Sequence, residues 1–166
     1  MSYDLMVFEK SKAPRNKKDF MAWYWKQVEW SEEHDYLSIG IASPDLQNWF
    51  MEMIETFPPM NGEYSPSDEQ IEGNEDLETY LTDYCIGHDV IYTAFAWSVA
   101  EEAYNLITQL AKKHGVGFFD VSGDEDVIFP DGTKLENWKR AGLCGACGGV
   151  FKGLIKKKCG SCDKER

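Results

Sequence analysis

Apolar residues along the chain recur first at strand and then at helix spacing, and the changes of period mark out the elements. Residues 4–9, Asp-Leu-Met-Val-Phe-Glu, form a short apolar run that reads as a buried strand. Over 17–31, Phe20, Trp23, Tyr24 and Val28 fall at helical spacing, with Met21 and Trp25 alongside. Ser43-Pro44 supplies an N-cap and a first-turn proline for a second helix, in which Leu46, Trp49, Phe50, Met53, Ile54 and Phe57 recur every three or four residues until Pro58-Pro59. Residues 84–87 and 90–96 are strand-like and flank Gly87-His88-Asp89, which has hairpin-turn composition. Ser98-Val99-Ala100-Glu101 has capping-box spacing, and Val99, Ala103, Leu106, Ile107 and Leu110 line one face of a helix ending at His114-Gly115. A strand over 116–121, a turn at 122–125 and a last strand over 127–129 complete the pattern before Pro130-Asp131-Gly132.

Between the second helix and the hairpin, residues 61–78 mix Gly, Pro, Ser and acids without apolar periodicity and read as a long surface loop. The element order predicts an α+β fold, a mixed or antiparallel sheet with helices packed on one face. The predicted organisation is an acidic α+β domain over 1–133, a connector over 134–143 anchored by Trp138, and a zinc ribbon over 144–166.

Charge divides the chain in the same place. Residues 134–166 carry nine Lys or Arg against three acids, a balance of +6, whereas residues 1–133 carry 8 basic and 26 acidic side chains, a balance of −18. A domain this negative repels nucleic acid and anionic membranes and attracts basic protein partners. With 43% hydrophobic and 14% aromatic residues, the chain has enough apolar surface to offset the entropy of ordering, so the acidity belongs to a folded surface. No stretch approaches the roughly 20 apolar residues of a membrane span, and Met1-Ser2-Tyr3-Asp4 lacks a signal peptide's basic start, so a cytoplasmic location is expected.

Four of the five cysteines form two C-x₂-C pairs, Cys144/Cys147 and Cys159/Cys162, eleven residues apart. Each pair puts two thiolates on one tight turn, and two turns complete a tetrahedral site with no position left for water or substrate. The expected occupant is one structural zinc ion, with iron as the alternative for the same donor set. Residues 140–163 resemble a zinc ribbon or a rubredoxin-type pair of knuckles. Lys152, Lys156, Lys157 and Lys158, with Phe151, give the segment a basic face that would suit phosphate contact, and a nucleic-acid role is the alternative functional reading.

Candidate catalytic residues do not assemble into a site, and no enzyme is predicted. Cys85 and His88 lie three residues apart along a strand and turn, which does not point them at each other. His114 suits a helix C-terminus, Glu101 and Glu102 suit a helix start, and Asp120, Asp124, Glu125 and Asp126 read as a polar turn. His34 carries no motif. Partner contact is instead assigned to the acid-rich segment, through Glu63, Asp68, Glu69, Glu72, Glu75, Asp76 and Glu78.

Residues 1–8 (Met-Ser-Tyr-Asp-Leu-Met-Val-Phe), 50–62 (Phe-Met-Glu-Met-Ile-Glu-Thr-Phe-Pro-Pro-Met-Asn-Gly), 83–87 with 90–98, and 114–122 together resemble a bacterial family of small, acidic, cytosolic proteins of the immunity-protein type. The resemblance covers most of 1–130 and leaves out the cysteine segment. It implies a basic toxin domain as partner and carries no catalytic residues with it.

Overall fold

The computed structural model describes residues 2–74, 76–153 and 158–162. Its centre is β1 (Tyr3–Phe8), paired antiparallel on one side with β3 (Val90–Phe95) and on the other with β4 (Gly117–Phe119). Strands β2 (Asp83–Ile86) and β5 (Val127–Ile128) take the edges, giving an antiparallel sheet in the order β2-β3-β1-β4-β5. The α+β class and the antiparallel sheet are therefore those expected.

Alternation along β1 decides what lies on each face. Tyr3, Leu5 and Val7 point to one side, where α2 (Pro44–Met53) and α5 (Ala100–His114) bury Leu46, Trp49, Phe50, Met53, Ala103, Ile107 and Leu110 against them. Met6 and Phe8 point to the other, where α1 (Lys17–Gln27) buries Phe20, Met21 and Tyr24 together with Phe119, Val127, Phe129 and Trp138. The helices are thus divided between the two faces. An all-apolar Leu-Met-Val-Phe run has no polar face to leave in water, and a sheet with such a centre must be covered twice.

Helix ends follow local chemistry. Asn16 accepts from the Asp19 N–H at 2.9 Å to start α1, which stops short of the predicted 31 before Trp30 takes a left-handed φ of 50°. Ser43 caps α2 and Pro44 opens it, while Gly115 closes α5 at φ 71°. The capping box at 98–101 does not form. Residues Trp97–Val99 make a 3-10 turn, Ser98 lies inside it, and α5 begins at Ala100 with Val99 as an N-cap that offers no side-chain acceptor.

The segment read as loop contains two short helices, α3 (Asp68–Glu72) and α4 (Leu77–Tyr80). A working capping box starts α3, with Ser67 and Gln70 each satisfying the other's backbone N–H. The ends of the segment are tied side by side, Thr82 N–H to Pro58 O and Met60 N–H to Thr82 O, both at 2.9 Å. The Tyr80 hydroxyl donates to Glu102 on α5 at 3.0 Å.

Beyond β5 the chain stays on the second face. Leu135 N–H donates to Val127 O at 3.1 Å, Trp138 is buried, and Leu135 and Leu143 pack around the same cluster. Strands β6 (Phe151–Lys152) and β7 (Lys158–Cys159) pair antiparallel and link the two cysteine turns. No helix of the described residues is long and apolar enough to cross a membrane.

Candidate metal centre

The first cysteine turn is closed by its own backbone: Cys147 N–H donates to Cys144 O at 3.3 Å and Gly148 N–H to the same oxygen at 2.7 Å, while Cys144 N–H reaches Gly149 O. The second turn follows β7, with Cys159 buried at its start and Cys162 exposed at its end. Pairing of Phe151 with Cys159 brings the turns together. The four Sγ atoms lie within 4.8 Å of one another, with Cys144–Cys162 at 3.6 Å and Cys147 at 3.4 Å from both Cys159 and Cys162. An ion about 2.3 Å from four tetrahedral thiolates sets them about 3.8 Å apart, so the sulfur cage fits a metal ion with little adjustment. The Ser161 N–H donates to Cys159 Sγ at 3.4 Å and lowers that thiol's pKa. Four protein donors fill a tetrahedron, and the chemistry available to the ion is structural.

This segment is joined to the domain by ion pairs. Arg140 bridges Asp124 (2.7 Å) and Asp126 (3.0 Å), Lys139 reaches Glu125 (3.2 Å), and Asn137 donates to Asp126 at 2.7 Å. The turn beneath is fixed by the buried Asp120 carboxylate, which accepts the Gly123 and Asp124 N–H groups. The acids read as a polar turn are that, and they also receive the connector's basic residues. Lys156, Lys157 and Glu75 lie outside the described residues. Phe151 forms part of a cavity wall beside α1.

The structure keeps Cys85 and His88 in separate roles. Burial pushes the Cys85 thiol above its ordinary range, which disfavours a nucleophilic thiolate. His88 instead joins Glu32 and His34 in a second donor cluster that spacing along the chain did not reveal. Glu32 Oε2 stands 2.5 Å from both His34 Nε2 and His88 Nδ1, and the His88 backbone N–H also donates to this carboxylate at 3.1 Å. Partial burial works against the charge, yet the bonds from His34 and His88 hold Glu32 below the usual carboxylate range. The Tyr36 N–H donates to His34 Nδ1 at 3.0 Å, which leaves the proton of the neutral ring on Nε2, facing Glu32. With that lone pair unavailable to an ion, the cluster works as a hydrogen-bonded clamp between the 30–36 segment and the β2–β3 turn. The one sequence-level hint was the Glu-x-His spacing of 32–34. His114, as expected, ends α5, where it meets Glu52 at 2.7 Å beside Lys113.

Six of the assigned partner-contact residues, Glu63, Asp68, Glu69, Glu72, Asp76 and Glu78, are exposed along the 61–78 segment. Comparison with known proteins finds no family model, no curated protein and no solved structure that this chain matches. The immunity-type resemblance therefore rests on the sequence stretches that carry it.

Proposed function

We propose that the chain is a protein-binding inhibitor of the immunity type, which captures a basic protein domain through residues 61–78 and carries one structural zinc ion on its four cysteines. The observation that carries this reading is the concentration of exposed carboxylates without ion-pair partners on one segment. Asp124, Glu125 and Asp126 are paired with Arg140 and Lys139, and Glu52 with Lys113 and His114, whereas none of the six described acids of 61–78 is in a salt bridge among the described residues. Uncompensated carboxylates on a segment whose ends are fixed present a steady negative field to a basic partner. Exposed Tyr64 stands within the segment, exposed Met60 immediately precedes it, and Leu37 lies against its Gly62, so apolar anchors accompany the charge. Zinc is the ion best suited to a closed tetrathiolate set.

The test is co-purification of the chain with the product of the adjacent gene, followed by association kinetics of wild type and the combined Asp68→Lys, Glu69→Lys, Glu72→Lys, Glu78→Lys variant. The expected result is a complex whose on-rate falls about tenfold or more in the variant and with added salt. No complex, or one with an unchanged on-rate, would contradict the reading.

A further inference from the structure

The four sulfurs of the metal cage are unequally sheltered. Cys144 and Cys159 are buried, at 3% and 0% exposure, whereas Cys147 is half-buried and Cys162 is exposed. The shelter has a structural cause. Cys159 pairs with Phe151 in the β6–β7 ribbon, and Gly149 lies over its sulfur, since a Cβ there would stand 2.7 Å from Sγ. Cys144 is fixed by its own backbone, which donates to Gly149 O and accepts from the Cys147 and Gly148 N–H groups.

The two less sheltered sulfurs are also neighbours. Cys147 Sγ stands 3.4 Å from Cys162 Sγ, closer than the 3.6 Å between Cys144 and Cys162. Cys147 lies equally close to Cys159, but that sulfur is enclosed. A disulfide brings its sulfurs to about 2 Å, so a pair already in contact can close by small rotations of the two side chains. Ligation holds both cysteines as thiolates, the form that oxidants attack, and an exposed thiolate beside a second one is the arrangement most open to reversible oxidation.

We propose that Cys162 and Cys147 form an oxidation site, at which hydrogen peroxide converts two metal ligands into one disulfide and so releases the ion; the inference rests on the metal reading of the four cysteines. The Cys162 thiolate attacks one peroxide oxygen, the O–O bond breaks, hydroxide leaves, and Cys162 becomes a sulfenic acid. The Cys147 thiolate then attacks that sulfur, the S–O bond breaks, and a second hydroxide leaves. Two thiolates have lost two electrons, and the peroxide that gained them ends as two waters once its hydroxides take up protons from the solvent. Cys144 and Cys159 alone do not complete a tetrahedral set, so metal affinity collapses. Metal occupancy is thereby tied to thiol redox state, and reduction of the disulfide restores it.

The test is addition of hydrogen peroxide to the zinc-loaded full chain, whose metal content is measured beforehand so that a failure of loading is seen separately. Zinc release is followed with a colorimetric chelator, and samples taken early in the release are mapped for disulfides by mass spectrometry of unreduced peptides. The expected result is one zinc released for every two thiols lost, with Cys147–Cys162 as the disulfide and zinc taken up again after dithiothreitol. Cys85, Cys144 and Cys159 should still be alkylated as free thiols in the denatured samples. Cys162→His keeps a fourth ligand without the exposed sulfur, and its release should be slower by at least about tenfold. The wild-type disulfide map decides independently of that variant. Zinc retained through oxidation, a first disulfide that leaves out Cys147 or Cys162, oxidation to sulfinic acid with no disulfide, or an unchanged rate in Cys162→His would each overturn the proposal.

Discussion

Gly148 lies directly beneath Trp138: a Cβ on Gly148 would stand 2.8 Å from the indole Cε2. The glycine follows the second cysteine of the first turn and has φ 69°, and the tryptophan is buried in the second core with Phe8, Phe20 and Phe119. Through this contact the cysteine segment and the face of the sheet under α1 share one packed boundary. Gly148→Ala should therefore fail twice, by placing a Cβ in the left-handed region and by colliding with the indole, at a combined cost of about 2–4 kcal/mol. Metal affinity and thermal unfolding of the variant check it, and both should fall.

Trp138→Ala tests the same boundary from the other side. Deleting a buried tryptophan costs about 3–5 kcal/mol, and here the loss is shared by the second core and the cysteine turn that rests on it. Denaturant unfolding should show the loss in stability, and competition with a chelator should show weakened metal retention in the same protein.

Metal removal should be felt unevenly. The thiolate cage holds the turn on which Gly145 and Gly148 sit, and those glycines contact Glu125 and Trp138. On chelation, amide hydrogen exchange should accelerate in 143–153, in the 120–126 turn and in α1. Helices α2 and α5, which pack on the opposite face, should keep their protection. Uniform loss across both faces would show that the two cores unfold as one.

Glu32 gives a prediction in pH. Its carboxyl is held below its ordinary value by His34 and His88, so the stabilisation is present above the unfolded carboxylate range and is lost as pH falls through the folded pKa. Glu32→Gln removes that titration and should lower stability at neutral pH by about 1–2 kcal/mol. The wild-type advantage should shrink below about pH 4, the region of an ordinary glutamate. Thermal midpoints of both proteins across pH 3–7 measure it.

Elements with strong periodicity were legible in the sequence. The spacing of Leu46, Trp49, Phe50 and Met53 and the Ser43-Pro44 start defined α2, and Gly115 marked the end of α5. The cysteine spacing likewise gave the sulfur cage, because two short turns leave few ways to arrange four thiols. What stayed hidden depends on contacts between distant parts of the chain. Division of the helices between two sheet faces turns on where α1 docks, and an unbroken apolar strand does not say which side a given helix will cover. The Glu32–His88 contact spans 56 residues and has no local signature. The α3 helix was readable in principle from Ser67 and Gln70, but its five residues carry too little apolar pattern to announce a helix.

Elemental analysis of the purified chain tests the central claim, a metal ion on Cys144, Cys147, Cys159 and Cys162, most directly. The account predicts one zinc ion per chain in the wild type, none retained in Cys147→Ser or Cys159→Ser, and no loss of metal in a His34→Ala, His88→Ala double variant. A metal-free wild type, or zinc that stays with the cysteine variants and leaves with the histidine variant, would contradict it.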